Sequence, residues 1–233
     1  MPPCWRSANG ACRRPDCGPD VTDAAAWSDG GYVALLLLSL AGAAWLRPWR
    51  LLGPGGPPWP WLACWAVLPL LWGIDRWGDS ALLQPLSCVP LLVLMAGWPL
   101  AMLAMVPAAL LTAALGDLGW QEGLHRLVWL GWWPAVGGLG VGWLVRRWLP
   151  HHLFVYILVR AFLGTWLAMA LIGVLRYWSE GRPLVLSATD LILARVLTAA
   201  GEAFLTGMLV AVFVAFRPQW LATYSDRLYL PRA

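Results

Sequence analysis

Several runs of apolar residues approach 20 in length, and this feature limits the chain more than any other. About 20 helical residues cross a hydrocarbon layer ~30 Å thick, since each rises roughly 1.5 Å. No water reaches the backbone there, so each peptide group must be satisfied within the protein, as a helix does. The chain therefore reads as an all-α, polytopic transmembrane helical bundle of six to seven spans. Charge usage agrees: 12% of the 233 residues are charged and 60% are hydrophobic, against about 25% charged in a soluble domain. All 16 basic residues are arginine and the net charge is +4. That balance points to membrane orientation, not to nucleic acid.

Three regions follow. Residues 1–26 form a polar tail, expected to be flexible, with Cys4, Cys12 and Cys17 in no zinc-like spacing. Residues 27–216 form the transmembrane domain and 217–233 a cytoplasmic tail. The first span runs from about Trp27 to Leu46 and a shorter second from about Trp59 to Ile74. The stretch Ala81 to Leu115 is too long for one simple span, and Gly97-Trp98-Pro99 lies in its middle. Proline disfavours helix at the residue before it. Two short helices meeting there, or one bent helix, are expected.

After a polar loop from Asp117 to Gly123, spans run from Leu124 to Val145 and from Leu153 to Leu175. A turn at 149–152 joins them. Tyr177 to Ala188 reads as a loop, and a helix from Asp190 to Arg217 comes last. If Ala81–Leu115 is a hairpin, Arg47, Arg50, Arg146, Arg147, Arg217, Arg227 and Arg232 share one side. Asp75, Asp79, Asp117, Glu122, Glu180 and Asp190 share the other. Basic residues favour the cytoplasm, which gives seven spans with the carboxyl terminus inside. A single crossing gives six and reverses the later charges. Trp27, Trp59, Trp77, Trp148, Trp178 and Trp220 sit near span ends, where indoles anchor at the interface.

The last span carries charge. Arg195, Thr198, Glu202 and Thr206 fall on one face at about 3.6 residues per turn. A charge at mid-bilayer costs roughly 2.5–3.5 kcal/mol, so this face is expected to meet protein or water. Glu202 is either a substrate, ion or proton site, or a buried partner for Arg195 or Arg160. His125, with Glu122 and Asp117 near it in sequence, is a candidate for an outer entrance or for interfacial packing. His151-His152 reads as a solvated corner. The glycines from Gly137 to Gly142 allow close helix contact. No nucleotide loop or hydrolase motif is present, so any ATP-driven step belongs to another chain.

The carboxyl-terminal half carries further signals. Gly201-Glu202-Ala-Phe-Leu-Thr206-Gly207-Met-Leu-Val, followed by Arg217-Pro218, resembles the last helix of the CbiM-like permeases of energy-coupling factor transporters. Leu153-Phe-Val-Tyr156-Ile-Leu-Val-Arg160-Ala-Phe162, Gly97-Trp98-Pro99 and the tail Trp220-Leu-Ala-Thr-Tyr-Ser-Asp226-Arg227 are similar to a proteobacterial branch of that group. The resemblance implies a multi-pass permease of the bacterial inner membrane that captures cobalt or nickel ions or a related small solute. It implies partners as well: a transmembrane coupling subunit and cytoplasmic ATPases, besides the lipid bilayer. Co2+ or Ni2+ would be bound as substrate, with no intrinsic cofactor and no catalytic residue. Only Glu202 and the Thr206-Gly207 pair carry over as shared features of the last helix. The alternatives are a membrane scaffold with a structural polar network, or an intramembrane enzyme using Glu202 as base beside Arg160 or Arg195.

Overall fold

Glycine and proline decide where the helices of this chain stop. The structure is a computed structural model and describes residues 29–51, 58–77, 84–150, 152–180 and 187–225. The cysteines at positions 4, 12 and 17, His151 and the loop residues 181–186 lie outside them. Among the described residues every regular element is helical. Besides two short 3-10 helices, Pro48–Leu51 and Pro218–Trp220, they are α1 (Asp29–Trp45), α2 (Trp59–Trp72), the one-turn α3 (Ile74–Trp77), α4 (Val89–Ala96), α5 (Trp98–Leu115), α6 (Trp120–Trp148), α7 (Val155–Ser179) and α8 (Ala188–Phe216). Four of them, α5 to α8, are long and apolar enough to cross a membrane, and α1 is a shorter apolar helix. The chain is a membrane protein built as an all-α bundle.

The expected interruption at Gly97 is present. Gly97 has φ 82° and ψ 157°, a region essentially closed to residues with a side chain. It ends α4 after eight residues and serves as the N-cap of α5. Pro99 then fills an early position of α5, where its missing N–H costs nothing. All eight residues of α4 are buried. This short helix lies inside the bundle, not on its lipid face.

Contacts along the chain fix the helix directions. Tyr32 meets His125 and Ser39 meets Trp132, so α1 runs parallel to α6. Trp61 donates to the Trp220 carbonyl, Trp65 to that of Ala104 and Trp72 to that of Ser87. These bonds carry α2 from the end occupied by residues 218–224 towards the opposite end. Gly142 faces Arg160, and Gly173 faces Arg195. Helices α1, α4, α6 and α8 therefore run one way and α2, α5 and α7 the other.

Several boundaries differ from expectation for physical reasons. Helix α6 starts at Trp120 instead of Leu124, which shortens the polar loop before it. Helix α7 continues past Leu175 through Ser179. Ser187 caps α8 by accepting from the Asp190 N–H at 3.1 Å, so the helix begins at Ala188 and not at Asp190. Both α6 and α7 contain π-helical segments, Leu127–Trp132 and Val155–Leu163. Such bulges are rare and tend to mark functional positions. Trp59, Trp148 and Trp178 are exposed, as suits interfacial anchors. Trp220 is not: it packs edge-on against Phe213 and is half-buried.

Candidate functional site

The start of α4 poses an accounting problem. It lies within the bundle, and buried N–H groups left without acceptors are costly. The sequence solves it locally and at a distance. Pro90 has no N–H to satisfy. The Val89 N–H donates to Ser87 Oγ at 3.2 Å. The Cys88 N–H donates to Glu202 Oε1 at 2.6 Å and the Ser87 N–H to Glu202 Oε2 at 3.3 Å. Glu202, 1% exposed, thus holds the N-terminal end of a short helix from the middle of α8. A carboxylate there also complements the positive end of the helix dipole.

The supports of this contact come from two further helices. Ser87 Oγ donates to the Leu130 carbonyl at 2.7 Å, within the π segment of α6. The Ser87 carbonyl accepts from Trp72 Nε1 at 3.0 Å. Cys88 has φ 50°, uncommon for a residue with a side chain, and this turn aims its N–H at Glu202. The other end of α4 is fastened by the chain that follows α8. Ala222 N–H donates to the Met95 carbonyl at 2.8 Å, and Thr223 Oγ1 donates to that of Leu94 at 2.9 Å. Helix α8 and its continuation therefore grip α4 at both ends.

Glu202 borders a cleft of about 50 Å³. Its polar lining is Gln84, Arg176, Arg195, Thr198 and Glu202, with Trp129 and Met169 among the apolar groups. Arg195 Nη1 donates to the Gly173 carbonyl at 2.9 Å. A Cβ at Gly173 would stand 3.2 Å from that of Arg195, so glycine makes room for the arginine. Thr198 Oγ1 donates back to the Ala194 carbonyl at 2.8 Å. The volume admits a few water molecules or one small ion, with guanidinium groups from two helices at its wall.

The structure brings Arg195, Thr198 and Glu202 to one cleft and places the other candidates elsewhere. Thr206 is buried but does not line the cleft. Arg160 does not meet Glu202; its guanidinium lies against Gly142 and over the Tyr156 ring, 5.4 Å from the centroid. The expected arginine partner of Glu202 is thus replaced by two backbone amides. His125 packs among rings, 6.4 Å from Tyr32 and 6.1 Å from Trp129. Gln84, Ser87 and Arg176 were not singled out in the sequence, and neither was the backbone N–H by which Cys88 takes part. The Ser87-Cys-Val-Pro90 pattern, proline just inside a helix start, was the available signal for two of them.

Of the two acids expected near an entrance, Glu122 joins a latch with Asp75 and two arginines, and Asp117 is not part of it. Arg126 Nη2 bonds Asp75 Oδ2 at 2.7 Å and Glu122 Oε1 at 2.8 Å, and Glu122 also pairs with Arg76. Arg126 further donates to the Trp72 carbonyl. This ties α2 and α3 to α6. Burial alone would raise the Asp75 carboxyl, but its hydrogen bonds and charge contact with Arg126 hold it below the usual carboxylate range.

No protein-family model, curated protein or solved structure matches the chain. Among the described residues, no three His, Cys, Asp or Glu side chains converge as a metal site would require.

Proposed function

We propose that the chain is a multi-pass permease of the bacterial inner membrane, the solute-capturing subunit of an energy-coupling factor transporter, with the cleft beside Glu202 as its solute site. The observation that carries this reading is the short helix α4, whose N-terminal end lies within the bundle. Transporters place substrate sites near the bilayer midplane, where discontinuous helices end. Here α4 starts inside the bundle next to a polar cleft, and α8 with the chain that follows it grips both of its ends. A scaffold would need no such cleft. Movement of α8 would carry α4 with it, which gives partner ATPases a route to the site. The resemblance of the last helix to CbiM-like permeases supplies the partner class: a transmembrane coupling subunit and cytoplasmic ATPases.

The cleft's chemistry bears on the cargo. Both Glu202 oxygens are engaged by amides, while Arg176 and Arg195 contribute positive charge. These groups suit a small anionic solute better than bare Co2+ or Ni2+, which imidazole and thiolate would serve. The test has two arms. Purification from native membranes should bring down an ATP-hydrolysing pair, and Arg195→Gln should abolish ATP-dependent uptake without dispersing the complex. Thermal-shift panels of small anions beside cobalt and nickel then assign the cargo. A chain that purifies alone and moves no solute contradicts the proposal.

A further inference from the structure

Arg160 presents a second unsolved charge, at a site that shares no residue with the cleft beside Glu202. It is 7% exposed, and its Nε and Nη1 atoms are buried without a hydrogen-bond partner. None of the ion pairs described above includes it. The Tyr156 ring offers its face at 5.4 Å, which softens the charge without accepting either N–H. Yet the fold makes room for this side chain. A Cβ at Gly142 would lie 2.9 Å from Nη2 and 3.3 Å from Nε. A Cβ at Gly164 would come within 2.3 Å of Val141 Cγ1, so glycine is what lets α6 and α7 close around the guanidinium. The π segment Val155–Leu163 contains Arg160.

A cavity of about 10 Å³ adjoins it, lined by Pro90, Val93 and Leu94 of α4, Gly138 and Val141 of α6, and Arg160 and Thr165 of α7. That is room for one water-sized particle. A single water would accept from the guanidinium and leave its charge uncompensated in an apolar wall. A protein side chain from another subunit cannot reach an atom this deeply covered. A small anion answers the charge that a neutral water leaves bare. We infer that Arg160 and Thr165 form a binding site for one monovalent anion of halide size, lodged between α4, α6 and α7. The anion joins the interrupted helix to its two neighbours, so its binding stabilises the packed bundle.

Bromide and chloride are the probes. The purified full chain in detergent is melted in chloride against gluconate at constant ionic strength. A saturable rise of roughly 5–10 °C is expected at a hundredfold excess over Kd. Arg160→Gln should melt at one temperature in both salts, and Thr165→Val should need more chloride for the same rise. Crystals grown in bromide should show an anomalous peak within hydrogen-bonding reach of Nε or of Nη1. If Arg160→Gln does not fold, the wild-type titration and the bromide peak still decide. A wild type indifferent to chloride, or density for water only at that position, overturns the assignment.

Discussion

Removing the Glu202 side chain should loosen α4 at the end that lies inside the bundle. The contact at 2.6 Å to the Cys88 N–H is charge-assisted and contributes about 1.5–3 kcal/mol. The contact at 3.3 Å to the Ser87 N–H is long and contributes about 0.5–1 kcal/mol. In Glu202→Ala both N–H groups lose their acceptor while still buried, which costs a similar amount per group. Relief from burying a carboxylate offsets part of this. The net expectation is a loss of about 2–4 kcal/mol, or roughly 5–15 °C in melting temperature for a chain of this size. Glu202→Gln keeps one acceptor oxygen and turns a donor towards the other amide, so it should lose about half as much. Leu197→Ala on the same helix, at a side chain 62% exposed, should change little. The assay is thermal unfolding in detergent, with hydrogen exchange read at Ser87 and Cys88. Those two amides should exchange faster in both Glu202 variants. A Glu202→Ala protein as stable as wild type, with both amides still protected, refutes the capping argument.

Three further outcomes follow from the same structure. Gly97→Ala places a side chain at φ 82° and should cost about 1–3 kcal/mol of strain, seen as a lower melting temperature. Gly164→Ala drives a Cβ to within 2.3 Å of Val141 Cγ1 and 2.9 Å of the Val159 carbonyl oxygen; overpacking of about 1–3 kcal/mol should appear in the same assay. The Asp75–Arg126 pair should respond to acid. Because the folded carboxyl titrates below its unfolded value, its stabilisation is complete above about pH 4 and is lost as pH falls through the lower, folded value. Asp75→Asn should remove that part of the acid sensitivity in melts taken from pH 7 down to pH 3.

The hydrophobic runs made the bundle legible, and Gly97-Trp98-Pro99 marked the break in α4–α5 before any coordinates. Both signals are local: a run length and a backbone restriction act where they are written. The polar face of α8 was equally legible, since period 3.6 places Arg195, Thr198 and Glu202 together. What the pattern could not tell was the partner of Glu202. A carboxylate among arginines suggests an ion pair, but the groups it meets are amide N–H donors, which every residue but proline carries and no composition reveals. The position of Arg160 depended on Gly142 lying across from it and on Gly164 of its own helix letting Val141 come close, a matter of register between α6 and α7. The π segments of these helices shift that register, and nothing in a periodic reading announces them.

The central claim is that polar groups on α8 face a cleft that water can enter, while the neighbouring side chains face lipid. Thr198 lines that cleft and Leu197, the adjacent residue, is exposed on the apolar surface. In a cysteine-free background reconstituted in bilayers, Thr198→Cys and Leu197→Cys are treated with a charged, water-soluble thiol reagent. The cysteine at 198 should be modified and the cysteine at 197 should not. Labelling at 197 with none at 198 would turn the helix face around and contradict it.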